Sequence, residues 1–297
     1  MEIAELPETI PAGPALKSFR NSTLARLARN RLSLVGMIIT LVVILTAILA
    51  PILAPYNPEA IDLVERLKPP SSIHWMGTDH LGRDILSRVI YGARISLQVG
   101  VVSVFLGTIL GLILGAIAGY LGGRLDSGIM GLMDAIYAFP AILLALALVA
   151  AFGPGLVTVM TAIAIVRIPI FARTVRGSVL AEREMEYITA ARTIGMSDLR
   201  ILIRHILPNI MAPMIVVTTT YFATAIVVEA SLSFLGLGVP PPAVSWGVML
   251  NDGRKFMEAV PHVVLFPGAA ISITVLGFNL LGEGLRDVLD PRLRNLS

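Results

Sequence analysis

Three ionisable residues stand inside long apolar runs of this 297-residue chain: Asp134, Arg167 and Glu229. A charge in a bilayer costs at least about 2.5 kcal/mol on insertion scales, so each needs a partner or a task. Asp134 and Arg167 lie near the same end of successive runs. A hairpin can bring them together as an ion pair, or each can snorkel to the interface. Glu229 sits deeper, about two turns from the end of its run. Its carboxylate can meet an ammonium group in a passage, or accept hydrogen bonds from a neighbouring helix.

No other residues have the spacing of a reaction centre. The histidines, His74, His80, His205 and His262, are scattered without a helical pair at ligand spacing, so no zinc or nickel site is expected. There is no cysteine, which excludes disulfides and thiolate chemistry. H-E-x-x-H is absent, as are Ser/His or paired-Asp constellations in the apolar runs, so no catalytic residue is expected. A phosphate-binding loop needs a lysine after glycine. The lysines here are Lys17, Lys68 and Lys255, and none follows a glycine. ATP therefore has no place on this chain.

The elements that must position these charges are membrane helices. The chain is 56% hydrophobic and 14% charged, against about a quarter charged in soluble domains. A span needs about 20 apolar residues, at about 1.5 Å each across about 30 Å. Six stretches qualify: residues 33–54, 95–120, 129–151, 156–171, 210–235 and 263–281. The third and fourth form a hairpin about Phe152-Gly153-Pro154-Gly155. The first run lies behind an acidic and basic tail and is too long for a signal core, so it reads as a retained span.

Basic residues set the orientation. With the N-terminus in the cytoplasm, fifteen lysines and arginines fall inside and seven outside, with Arg167 within the fourth span. Both termini are therefore expected to be cytoplasmic. The net charge of +3 is a topology signal and not a mark of nucleic-acid binding. The expected organisation is a cytoplasmic tail (1–32), the first span (33–54), an outer loop (55–94), a core (95–285) and a cytoplasmic tail (286–297). The core contains a cytoplasmic loop (173–208) and an outer loop (236–262).

Gly107, Gly111, Gly115 and Gly119 repeat every fourth residue in the second span. Such a stripe lets a partner helix approach almost to backbone contact, within the subunit or with a sister subunit. Pro140, Pro169 and Pro267 can kink their helices. In the outer loop, Asp84 and Arg88 are one turn apart and can pair. Trp75 suits an interfacial anchor or a contact with a partner protein.

The 173–208 loop is the most specific feature. A helix is expected over roughly 179–193, stopped by Gly195. Met196 follows in the turn, and Ser197 or Asp198 can cap a second short helix through Leu207, before Pro208. The result is a helix–turn–helix on the cytoplasmic face, with Tyr187 within its first helix and the small Ala190 and Ala191 allowing close docking.

Ala190-Ala191-x-x-x-Gly195 followed by Leu207-Pro208 resembles the cytoplasmic signature of binding-protein-dependent ABC importer permeases. Thr189 departs from the signature's glutamate, and His205 from its usual isoleucine. The resemblance extends to GTDHLGRDILSRVIYGARISL (77–97), MDAIYAFPAILLA (133–145), EASLSFLGLGVPPPAVSWGVML (229–250) and FNLLGEGLRDVLDPR (278–292). These are similar to the second, C-type permease subunit of dipeptide, oligopeptide and nickel systems, over about 24–292.

The resemblance implies an all-α, six-span permease forming half of a pore in a bacterial or archaeal inner membrane. It implies a second permease, two ATPase subunits carrying ATP and Mg, and an extracytoplasmic solute-binding protein as partners, with lipid around the spans. Peptides are the implied substrate. An ion-driven transporter would want more intramembrane acids than Glu229, and a passive channel needs no docking loop.

Overall fold

The computed structural model describes residues 30–289. The basic residues Lys17, Arg20, Arg26 and Arg29 of the first tail, and Arg292 and Arg294 of the last, lie outside them. The elements are α1 (Arg31–Ile48), α2 (Ala50–Leu53), α3 (Ile85–Leu121), α4 (Gly123–Tyr137), α5 (Ala141–Phe152), α6 (Leu156–Arg183), α7 (Glu186–Thr193), α8 (Asp198–Ile201), α9 (Leu207–Phe234), α10 (Trp246–Gly253) and α11 (His262–Leu289). Among the described residues the only strand-like pairing is a single bridge between Thr78 and Asp84. Five helices are long and apolar enough to cross a membrane, or six crossings if the bent pair α4–α5 counts as one.

That pair corrects the expectation of one continuous span over 129–151. The two helices meet at 88°, with the break at 138–140. Pro140 lacks an N–H and disfavours helical geometry at Phe139, so the helix ends and restarts in a new direction. Counting apolar residues detects length and cannot detect that turn.

The loop ends also move. The second long helix begins at Ile85, so Arg88 and Arg94 are helical and not part of a loop. Asp84 caps it, accepting from the Ser87 amide at 2.8 Å and the Ser87 hydroxyl at 2.7 Å. Asp84 also meets His74 Nδ1 at 2.9 Å. Because capping occupies Asp84, the expected Asp84–Arg88 side-chain pair does not form. Arg88 instead reaches Asp79 and Asp252, each at 3.4 Å.

α6 continues to Arg183, well past the expected end of the fourth span at 171. Arg173, Arg176 and Arg183 therefore project from a helix and not from a loop. The helix expected over 179–193 is two helices, broken at 184–185. The second short helix does not stop before Pro208. It runs through a π-turn (202–206) directly into α9. Pro208 lacks the N–H that would meet the Arg204 carbonyl, and the wider π-turn just before it absorbs the defect.

α3 and α6 form the spine, and the glycine stripe is what brings them together. A Cβ added at Gly115 would lie 2.8 Å from Val175 Cβ, and one at Gly119 2.9 Å from the Arg176 carbonyl. Gly111 faces Phe171 and Ala172, and Gly107 faces Ala164. The close partner of the stripe is thus α6 of the same chain. The loss of side chains at every fourth residue is what permits this near-backbone contact. α9 packs on both helices and on α11, with the Phe222 and Phe278 rings 4.0 Å apart. α1 lies against α11, where Gly36 and Gly277 allow another close approach.

Candidate functional site

One end of the bundle gathers the C-terminal ends of α3 and α6, the loop at 184–197 and the start of α9. The turn at Gly195 has φ +82°, the left-handed geometry that glycine adopts without strain. Its amide donates to Arg192 O at 2.9 Å, and Met196 N donates to Ala191 O at 3.1 Å. These paired bonds close α7 and aim the chain into α8. Ser197 precedes α8 in extended geometry but makes no side-chain cap.

The α7–α8 unit has two faces. Ile188, Ala191, Ile201 and Ile206 are buried against the bundle. Thr189, Ala190 and Pro208 face outward, and Ile194 and Leu199 are 78% and 67% exposed. The two expected docking alanines therefore diverge: Ala190 is on the open face and Ala191 packs inward. That follows from their position one residue apart, roughly 100° around a helix. Leu207 is half-buried at the start of α9.

Polar bonds tie this unit to the long helices. The Tyr120 hydroxyl, at the end of α3, donates to Asp198 Oδ1 at 2.6 Å, with the Arg192 guanidinium 5.7 Å from the Tyr120 ring. Arg183 donates to the free carbonyls of Gly119 at 3.3 Å and Tyr120 at 3.0 Å. Tyr187 bonds Glu182, and Asn209 Nδ2 bridges to Glu182 at 2.9 Å and to the Tyr187 hydroxyl at 2.8 Å. Burial, reinforced by Glu182 as acceptor, pushes the Tyr187 hydroxyl above its ordinary pKa. Tyr120, Glu182 and Asn209 were not legible as partners in the sequence. The only signal was their polarity at the ends of apolar helices.

The three charged candidates resolve differently. Asp134 does not meet Arg167. It pairs with Arg173, whose guanidinium also lies 4.6 Å from the Tyr137 ring centre. Arg167 stacks over Tyr221 at 5.0 Å. Arg167 and Arg173 sit on different faces of α6, because a separation of six residues differs from a whole number of turns. Nearer the α7–α8 end, Arg176 grips Asp126 with two bonds of 2.5 and 2.6 Å.

Glu229 is fully buried toward the opposite end of the bundle. It accepts from Ser233 at 2.8 Å and Ser96 at 3.3 Å. Ser96 in turn accepts from Trp246 N at 3.3 Å, and Trp246 Nε1 donates to Val89 O at 2.9 Å. Of the two roles open to Glu229, hydrogen bonding between neighbouring elements is what the geometry displays. It joins α9, α3 and α10.

That opposite end is capped by residues 55–84. Asp79 organises it, accepting from Leu81 N at 2.8 Å, Arg83 N at 3.0 Å and Arg83 Nε at 2.7 Å. Arg83 and Arg88 then reach across to Asp252 of α10 at 3.3 and 3.4 Å. Trp75 projects outward, 73% exposed. Among the described residues no group of three metal-ligating side chains converges.

Residues 111–295 match the family described as binding-protein-dependent transport system inner membrane component. Residues 18–70 match the N-terminal TM domain of oligopeptide transport permease C. The chain is 50% identical over 270 residues to the dipeptide transport system permease protein DppC of Alkalihalophilus pseudofirmus, covering 91% of this chain and 89% of that one. It is 48% identical to a putative peptide transport system permease protein of Brucella abortus, covering 92% of each. It is also 48% identical to the glutathione transport system permease protein GsiD of Shigella flexneri, covering 91% and 89%. Among solved structures, the MetNI methionine ABC transporter in inward facing conformations superposes with a TM-score of 0.57 at 20% identity, covering 68% of this chain and 96% of that one. The helical core is therefore the ABC permease fold. The chain belongs to the binding-protein-dependent transport system inner membrane components and is a multi-pass ABC transporter permease subunit.

Proposed function

We propose that this permease imports peptides and is driven through the α7–α8 unit by a separate ATPase. The observation that carries this reading is the two-faced unit itself. Its outer side presents Ala190, Ile194 and Leu199 to a partner, while its inner side is bonded to α3 through Asp198 and Tyr120 and to α6 through Tyr187 and Glu182. A push on the outer face reaches the longest helices without a flexible step between.

On this reading the α7–α8 end and both termini are cytoplasmic, in keeping with the fifteen-to-seven arginine and lysine bias. Two ATPase subunits hold ATP and Mg, and a second permease completes the pore as a heterodimer. An extracytoplasmic binding protein delivers substrate to the cap formed by 55–84 and α10. Peptide as the substrate class is supported by relatives named for dipeptide, peptide and glutathione transport at 48–50% identity.

The test is recovery of the tagged chain from mild detergent, with mass spectrometry of its companions and an ATPase assay. Companions expected are a second permease and ATPase subunits. In the assembled importer, Gly195→Trp should leave hydrolysis running while uptake falls at least tenfold. A Cβ there meets nothing within 4 Å in this chain, but at φ +82° any side chain also strains the turn, so Ala190→Trp, on the exposed helical face, is the companion variant that adds bulk without that strain and should act alike. Full uptake by either variant, or uptake by the lone chain without ATP, would overturn the proposal.

A further inference from the structure

A cavity of about 730 Å³ opens between the start of the 55–84 cap, the outer part of α3 and the segment before α10. Its polar lining comes from Tyr56, Asn57, Glu59, Tyr91, Arg94 and Gln98. Tyr91, Arg94 and Gln98 fall at i, i+3 and i+7 and so share one face of α3. Pro55 and Pro58 stiffen the wall that carries Glu59. A second void of about 840 Å³, mostly apolar and deeper along α3, shares Arg94 and Gln98 with the first. These two residues stand where the polar cavity passes into the apolar one.

In the same region Arg83 and Arg88 are matched by Asp79 and Asp252, and Lys68 by Glu65. Neither Arg94 nor Glu59 makes an ion pair among the described residues, although both line one cavity. Among the described residues Arg66, Arg254 and Lys255 on this side also make no ion pair, and Arg94 is the one of these cations that lines the cavity. Beyond Arg94 the chain carries no charge until Arg124, so it is the innermost cation on this side of α3. Both side chains are exposed to this space, and an ionisable group without a partner at the edge of an apolar run is a candidate functional site. The volume falls within the roughly 300–1,000 Å³ of small-molecule sites.

We infer that this cavity binds the two termini of a short zwitterionic peptide, its carboxylate on the Arg94 guanidinium and its ammonium on the Glu59 carboxylate. The inference rests on the peptide-import reading. A guanidinium presents a flat fork of donors that matches a carboxylate with two parallel bonds. Gln98, one turn further along, can donate to or accept from the peptide amide. The side chains of the peptide then face the adjoining apolar groove, where Val101 and Phe222 offer contact without shape-specific polar groups. Such a site reads the ends of a peptide and tolerates variety in what lies between them.

The test uses the assembled importer in ATP-loaded proteoliposomes, with alanyl-alanine as the probe. Arg94→Gln and Glu59→Gln should each lower uptake at least tenfold at low peptide concentration. Partner recovery and the ATPase rate without binding protein should be unchanged, and Arg94→Lys should recover uptake to within about threefold of wild type. Glu59 lies on an exposed segment outside the helices, so its variant remains informative if Arg94→Gln does not assemble. Unchanged uptake in Glu59→Gln, or in an assembled Arg94→Gln, would overturn the inference and leave Arg94 as a snorkelling cation. Failure of the wild-type importer to take up alanyl-alanine or any other short peptide would count against the peptide reading itself.

Discussion

The Tyr120 hydroxyl lies 2.6 Å from the Asp198 carboxylate, so the last turn of α3 is bonded to the first turn of α8 across 78 residues of sequence. Both helix ends then move together. Tyr120→Phe removes that bond alone. A net loss of about 0.5–1.5 kcal/mol is expected for one hydrogen bond, too little to unfold the bundle. The consequence should appear in coupling: more ATP hydrolysed per peptide taken up, at unchanged assembly. An unaltered ratio of uptake to hydrolysis would show that the contacts of Tyr187 and Asn209 with Glu182 carry the connection without it.

The α3–α6 contact should be intolerant of any side chain on its glycines. Gly115→Val places atoms against Val175 and the Ala172 carbonyl, where a Cβ already has no room. Overpacking of this kind costs about 1–3 kcal/mol, and the neighbour here is backbone that cannot yield cheaply. A lower melting temperature in detergent is expected. Gly128→Ala, with nothing within 4 Å of its Cβ inside α4, serves as the control and should leave it unchanged or slightly raised.

Glu229 separates two roles by stability and transport. Glu229→Leu leaves the hydroxyls of Ser96 and Ser233 without their acceptor in a buried site, at about 1–3 kcal/mol for an unsatisfied group. Glu229→Gln keeps acceptor and donor capacity and should cost less. Thermal unfolding should rank wild type, Gln and Leu in that order, with uptake following the amount of folded protein. Lost uptake in a fully stable Gln variant would instead identify Glu229 as a substrate contact.

The cap has a pH dependence with a definite sign. His80 stacks on Phe256 at 5.8 Å and 12°. Desolvation holds its pKa below the ordinary value of about 6.5, opposed by Asp79 and Asp252 and aided by Arg83 and Arg88. A histidine with a lowered folded-state pKa stabilises fully above the unfolded value, and that contribution is lost as pH falls from there toward the folded one. Limited proteolysis of 55–84 should therefore accelerate below about pH 6.5. His80→Gln should flatten the profile. An unchanged profile in that variant would assign the dependence to another group.

Much was legible without coordinates. Apolar run length identified the membrane class, because span length follows from bilayer thickness and helix rise. The left-handed stop at Gly195 followed from the one residue type that adopts it freely. The four-residue glycine period announced a close helix contact, though not with which helix. That choice required α6 to present Ala164, Ala172 and the backbone around them to the stripe.

Other features were decided only by the fold. The 88° break at Pro140 is a direction, and hydropathy carries no direction. Asp134 was equally compatible with Arg167 and Arg173, which lie six residues apart on α6, until rotation about the helix axis selected Arg173. Arg88 abandoned its near neighbour Asp84 for Asp252, 164 residues away, because Asp84 was already committed to capping its own helix. Local sequence specifies which groups need partners. Which distant group answers depends on how the helices are turned and packed, and that is set by the whole chain at once.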